Sequence, residues 1–108
     1  MLMVSMREIT KFSRLIAREY HPERIVLVGS YAHGTPTQDS DVDLLVVMPF
    51  EGKAVEKSVE MRLRFHPRFP VDILVRTPEK VQQRLAIGDT FIRDILRTGR
   101  VLYEADHR

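Results

Sequence analysis

The sequence contains no cysteine. Disulfides, thiolate nucleophiles and cysteine zinc sites are therefore excluded, and a reducing compartment is allowed. Its four histidines, His21, His33, His66 and His107, show no metal-ligand spacing. No apolar run approaches the length of a membrane span, and the N-terminal "MLMVSMREITKF" is too poorly apolar for a signal-peptide core. Charge of one sign is also missing: 17 basic and 15 acidic residues leave a net charge of +2, too little for a dedicated nucleic-acid coat, although nucleic acid is not excluded. There is no internal repeat, low-complexity tract or linker. A cytoplasmic protein is expected. What remains is 108 residues, 44% apolar and 30% charged, which suits one globular domain spanning 1–108.

Local patterns divide that domain. Ser5 followed by Glu8 forms a capping-box signature, and Ile9, Phe12, Leu15, Ile16 and Tyr20 then fall on one helical face until Pro22 stops it. The runs "RIVLVG" (24–29), "VDLLVVM" (42–48) and "VDILV" (71–75) are short, apolar and rich in β-branched residues, as strands covered on both faces are. Between the second and third, Ala54, Val55, Val59 and Leu63 recur near helical spacing and predict an amphipathic helix ended by Pro67. Thr77-Pro78-Glu79 starts another helix, Gly88-Asp89 interrupts it, and Phe91, Ile92, Ile95 and Leu96 resume the pattern up to Gly99. "RVLYE" (100–104) adds a short edge strand. Phe12, Tyr20 and Phe91 read as core residues. The predicted class is α/β or α+β, a small mixed sheet with helices packed on it.

The chemistry concentrates in "IVLVGSYAHGTPTQDSDVDLLVV", residues 25–47. Gly29 and Gly34 have the separation of a P-loop, but Thr35-Pro36 stand where its lysine and hydroxyl residue belong. Asp39, Asp41 and Asp43 alternate like calcium-loop ligands, yet Leu44 occupies the glycine position and Phe50 that of the closing glutamate. Taken as it stands, the stretch is Gly29-Ser30, ten residues, then Asp41-x-Asp43 entering a strand. Residues two apart on a strand point the same way, so both carboxylates can share a cation. Magnesium prefers such oxygen ligands, with nucleotide phosphates completing its shell. Gly29 permits close backbone approach, and Ser30 offers a hydroxyl and an amide where anion-binding turns form. Asp72 starts the third strand much as Asp43 starts the second, so three carboxylates are expected to converge.

These residues carry a resemblance. "GSYAHGTPTQDSDVDLLV" with the later "VDILV" resembles the minimal nucleotidyltransferase domains of the DNA polymerase beta superfamily, whose pattern is Gly-Ser, a spacer, Asp-x-Asp and a third Asp on a later strand. The likeness extends over most of the chain, including "TPEK" and "FIRDILRTGRVLYE". It implies the palm-like fold of that superfamily and a magnesium-dependent, two-metal transfer of a nucleoside monophosphate, AMP from ATP, to a hydroxyl acceptor. By this similarity Asp41 and Asp43 hold both magnesium ions, and Asp72 completes one metal site and activates the attacking hydroxyl. Gly29 and Ser30 bind the triphosphate. Ser40 falls with this nucleotide-binding set, although its hydroxyl also suits bracing the turn. Many relatives carry arginine before the second glycine, whereas this chain has His33, which reads as a loop residue and as a phosphate ligand would give only a weaker, pH-dependent contact. Small members of the family act with a separately encoded helical partner of the HEPN type, as antitoxin to its toxin, and can modify that partner with AMP. The alternative is a weakly active or inactive binding subunit that neutralises or scaffolds the partner. Arg62, Arg64, His66 and Arg68 read as a solvated basic helix end and as the rim of a partner contact.

Overall fold

The computed structural model describes residues 3–106, so His107 lies outside the described residues. The elements run α1 (Met6–Tyr20), β1 (Arg24–Val28), α2 (Gly29–His33), β2 (Val42–Val47), α3 (Ala54–Phe65), β3 (Val71–Arg76), α4 (Pro78–Ala86), α5 (Thr90–Thr98) and β4 (Arg100–Glu104). The strands form a mixed sheet in the order β3-β2-β1-β4, in which β2 and β3 are parallel and the other neighbours antiparallel. Helices cover both faces, which is why β1 and β2 are buried along nearly their whole length.

Helix ends follow their local chemistry. The Ser5 hydroxyl accepts from the Glu8 amide at 3.2 Å while the Glu8 carboxylate accepts from the Ser5 amide at 3.2 Å, closing the capping box of α1. The helix stops at His21, which turns left-handed before Pro22. Thr77 caps α4 by accepting from the Lys80 amide at 3.1 Å, with Pro78 at the start of the helix. Asp89 caps α5 through the Phe91 and Ile92 amides at 2.9 and 3.2 Å.

Strand alternation divides the core. One face brings Ile25, Leu27, Leu44, Val46 and Ile73 against Ile9, Phe12 and Ile16 of α1 and Met61 of α3. The other brings Val26, Val28, Leu45 and Val47 against Val81 of α4 and Ile92 and Ile95 of α5. Phe12 is clamped edge-on between Phe65 and Phe69, with ring centroids 6.0 and 5.6 Å away.

Three sequence expectations need correction. Helix α3 exists, but Val55, Val59 and Leu63 point to solvent, at 74%, 47% and 64% exposure. Met61 and Phe65 face the core instead, and Ser58 turns inward to donate to the Ile73 carbonyl at 2.7 Å. Helix α3 therefore has apolar side chains on two sides, and periodicity alone cannot say which side the sheet will take. Phe91 is 59% exposed on α5, not core, because Ile92 and Ile95 occupy the buried face. Finally, the Gly29–His33 segment winds into the short helix α2, which the turn chemistry of Gly29-Ser30 did not reveal.

Candidate active site

The strand register assembles the acidic group. In the antiparallel pair β1/β2, Val28 stands opposite Asp43; in the parallel pair β2/β3, Asp43 stands beside Asp72. Neighbouring strands lie about 4.8 Å apart, so these two carboxylates leave adjacent strand ends on one face of the sheet. It is the face that carries Leu45 and Val47 toward α4 and α5. Asp41 lies two residues upstream in the segment entering β2, and the Val42 amide donates to the Pro70 carbonyl at 3.0 Å, tying the entrances of β2 and β3 together.

Gly29 sits where β1 gives way to α2 with φ +73°, the left-handed region. A Cβ at this position would lie 2.5 Å from Asp43 Oδ2, so glycine serves both the backbone turn and the close packing of the carboxylate. Ser30 follows it on α2 and is partly buried. The Ser40 hydroxyl accepts from the Thr37 amide at 2.9 Å and thereby braces the loop that delivers Asp41. His33 ends α2 and shares with Gly29, Asp43, Leu74, Phe91 and Asp94 a cleft of about 400 Å³. Sequence reasoning missed Asp94 and Phe91 as cleft residues. Both belong to α5, and no spacing in the chain tells which flank of that helix will overlook β3.

Electrostatically the site is unbalanced. The Asp43 carboxyl is pushed above its usual range first by burial, then by the charges of Asp72 and Asp41. Among the described residues, no ion pair or hydrogen bond engages the carboxylates of Asp41, Asp43 or Asp72. Nor are any three His, Asp or Glu side chains among those residues drawn into a ready metal-binding cluster. The chemistry of the group nonetheless fits a hard divalent cation: the donors are all oxygen, mutually repelling and without a resident counter-charge.

Gly29-Ser30 thus follow β1, while Asp43 and Asp72 lie on β2 and β3, the adjoining strand and the one beyond it. The chain belongs to the nucleotidyltransferase domain family, whose model matches residues 9–103, and it is a nucleotidyltransferase by that membership. A protein of Methanocaldococcus jannaschii, provisionally named as a protein adenylyltransferase, is 28% identical over 100 residues, covering 90% of this chain and 96% of its own length. The fold is also similar to a crystal structure described provisionally as a nucleotidyltransferase from Sulfolobus solfataricus. That match has a TM-score of 0.62 and 20% identity, covering 91% of this chain and 78% of the other. A toxin–antitoxin crystal structure with AMP-PNP matches with a TM-score of 0.57 and 19% identity over 90% of this chain and 74% of its own. Among the described residues, no helix is long and apolar enough to cross a membrane.

Proposed function

We propose that the chain transfers AMP from ATP to a hydroxyl group on a protein partner. The observation that carries this reading is the set of three unpartnered carboxylates on neighbouring strand entrances beside Gly29-Ser30. The name of the M. jannaschii relative supports a protein acceptor, and the AMP-PNP complex among the structural neighbours supports an adenine nucleotide. Asp41 and Asp43, with Asp72 completing one site, would hold two magnesium ions. Magnesium bound there supplies positive charge against the phosphates and the departing oxygen. Gly29 and Ser30 receive the triphosphate, the first by leaving room and the second through its hydroxyl and amide. Ser40 keeps its place in this set by holding the loop before Asp41. The acceptor oxygen forms a bond to the α-phosphorus as the bond from that phosphorus to the oxygen bridging the β-phosphate breaks. Pyrophosphate leaves, and Asp72 takes the hydroxyl proton.

The open cleft that holds Asp43 has little surface of its own to orient an acceptor hydroxyl, and orientation can supply about 7 to 11 kcal/mol of a transfer barrier. A partner protein would supply that surface; by the family resemblance it is a separately encoded helical protein of the HEPN type, as in a toxin–antitoxin pair, with its own hydroxyl modified. The toxin–antitoxin neighbours support this arrangement. A binding subunit that only neutralises the partner is the second reading, favoured by the exposed Val55, Val59 and Leu63 of α3.

The test combines the chain, ATP labelled in the α-phosphate, magnesium and the protein encoded beside it. Label should reach the partner and depend on it; complex formation without label would establish the second reading. Asp72→Asn should keep ATP affinity within a few-fold while transfer falls by about 10² to 10⁴. Loss of ATP binding in that variant would instead make Asp72 an essential ligand.

A further inference from the structure

The catalytic cleft does not end at Leu74. On β3 the side chains of Asp72, Leu74 and Arg76 project from the same face, and Asp72 and Arg76 are about 13 Å apart along the strand. Leu74 lines the cleft that holds Asp43, whereas Arg76 lines a larger cavity of about 550 Å³ at the far end of β3. Phe91 of α5 borders both, so the two spaces adjoin along one flank of the edge strand.

The second cavity has its own chemistry. Its basic side chains are Arg76, Lys80 and Arg84, and its one acid, Asp89, lies 3.6 Å from Arg84. Among the described residues, Lys80 has no ion pair, and Arg76 donates only to the Val75 carbonyl, at 2.8 Å. Apolar surface rises beside them: Val55 is 74% and Phe91 59% exposed, and Phe50 adds a second aromatic wall. Two unneutralised cations between exposed apolar walls suit a flexible anionic chain with apolar residues. They suit a compact inorganic anion less, because no buried polar group closes around one.

We propose that this cavity binds an acidic segment of the acceptor polypeptide. A carboxylate side chain would meet Arg76 and Lys80 while the hydroxyl to be modified lies at Asp72, about four extended residues away. The inference rests on the reading that the acceptor is a protein, and it adds what that protein must look like. The acceptor carries a hydroxyl residue, then an apolar residue against Phe91 and Leu74, then glutamate or aspartate. Substrate selection is thereby separated from chemistry, with the acids at one end of β3 and recognition at the other.

The experiment uses two fluorescent twelve-residue peptides, each with a single tyrosine. One carries two glutamates beginning four residues from it; the other carries lysines there. Binding is read by anisotropy with the full chain, with and without Mg-ATP, and transfer by label from ATP. The glutamate peptide should bind at least tenfold tighter than the lysine peptide. Lys80→Glu and Arg76→Gln should each weaken it fivefold or more, and Lys80→Glu should narrow or reverse the preference. ATP affinity should stay within twofold in both variants, since neither residue lies at the proposed phosphate or metal positions. Equal binding of the two peptides overturns the proposal. So does a loss of ATP affinity in Lys80→Glu, which would make the cavity a nucleotide subsite. Preferential binding without label transfer supports the recognition site and leaves the transferase reading to the partner experiment, because a peptide lacks the partner surface that orients the hydroxyl.

Discussion

Where α1 and α3 meet at the surface, charges are joined in a chain. Arg64 donates to Glu19 at 2.6 Å and stands 5.9 Å from the centre of the Tyr20 ring; the Tyr20 hydroxyl donates to Glu60 at 2.9 Å, and Lys57 donates to the same carboxylate at 3.3 Å. Where β2 and β3 begin, the arrangement is the reverse, with a half-buried Asp43 beside the exposed Asp72 and Asp41 and, among the described residues, no ion pair to any of them. The Glu60 carboxyl is held below its usual range by the Tyr20 hydroxyl and then by Lys57, while that of Asp43 is pushed above it by burial and its neighbours. Exposed pairs of the first kind add little individually, but they join two helices over the Phe12–Phe65–Phe69 cluster. The second arrangement costs stability and persists because a packed sheet imposes the register. A fold able to pair its charges has, among the described residues, left three acids without an ion pair at one end, where the proposed metal-bound phosphate would compensate them.

The sharpest way to break this contrast is Asp43→Asn. Transfer should fall by at least about 10²-fold, because the residue at the centre of the group loses its charge. Stability should rise at neutral pH in chelator. A carboxyl whose folded pKa lies above its unfolded value binds its proton more tightly when folded, so wild-type stability falls as pH rises through that window. The penalty is absent below the unfolded value of 3.8 and grows as pH rises through the raised folded value. Thermal melts should therefore show the advantage of Asp43→Asn shrinking as pH is lowered toward about 4. An equal or lower melting temperature at pH 7 would mean the carboxylates do not strain one another.

Gly29→Ala should act next most strongly. The left-handed conformation costs an alanine about 1 to 2 kcal/mol, and the new Cβ also meets Asp43 Oδ2. A drop of roughly 10 °C in melting temperature is expected. In an Asp43→Ala background the contact disappears but the backbone cost remains, so the glycine substitution should become less harmful without becoming neutral. Strict additivity would show that Gly29 and Asp43 are not packed together.

The different legibility of the two regions has a physical basis. Gly29, Ser30, Asp41 and Asp43 are close in sequence and flank two apolar strand runs, so their grouping at the strand ends can be read before any tertiary contact is known. The pairing of Asp43 with Asp72 could be anticipated because both open apolar runs suited to neighbouring strands. The charge chain could not, since Tyr20 and Glu60 are 40 positions apart and meet only once α3 has chosen its buried face. The same choice defeated the reading of Val55, Val59 and Leu63: two apolar stripes competed, and Met61 and Phe65, which pack into the core on the α1 side of the sheet, prevailed. Phe91 was misread for a related reason, because an apolar residue beside Ile92 on an amphipathic helix can equally border a cleft.

The smallest effect expected is that of Tyr20→Phe, and it is informative because of its sign. Burial, and next the hydrogen bond to Glu60, push the Tyr20 phenol from 10.0 up to about 12. Near neutral pH both folded and unfolded phenols are protonated, so the substitution removes only an exposed hydrogen bond and should lower the melting temperature by no more than about 4 °C. Between pH 10.0 and about 12 the unfolded chain loses its phenolic proton first, and wild-type stability falls as pH climbs through that window. Phenylalanine has no proton to lose. The gap between the proteins should therefore narrow above pH 10.0 and can reverse, while Glu60→Gln should weaken the effect by removing the negative charge beside the phenol. Urea midpoints for the wild type and Tyr20→Phe at about pH 7 and about pH 10.5 decide it. A gap that does not change with pH would show that the phenol is not held by its surroundings, and the paired surface would then be no more organised than ordinary solvated charge.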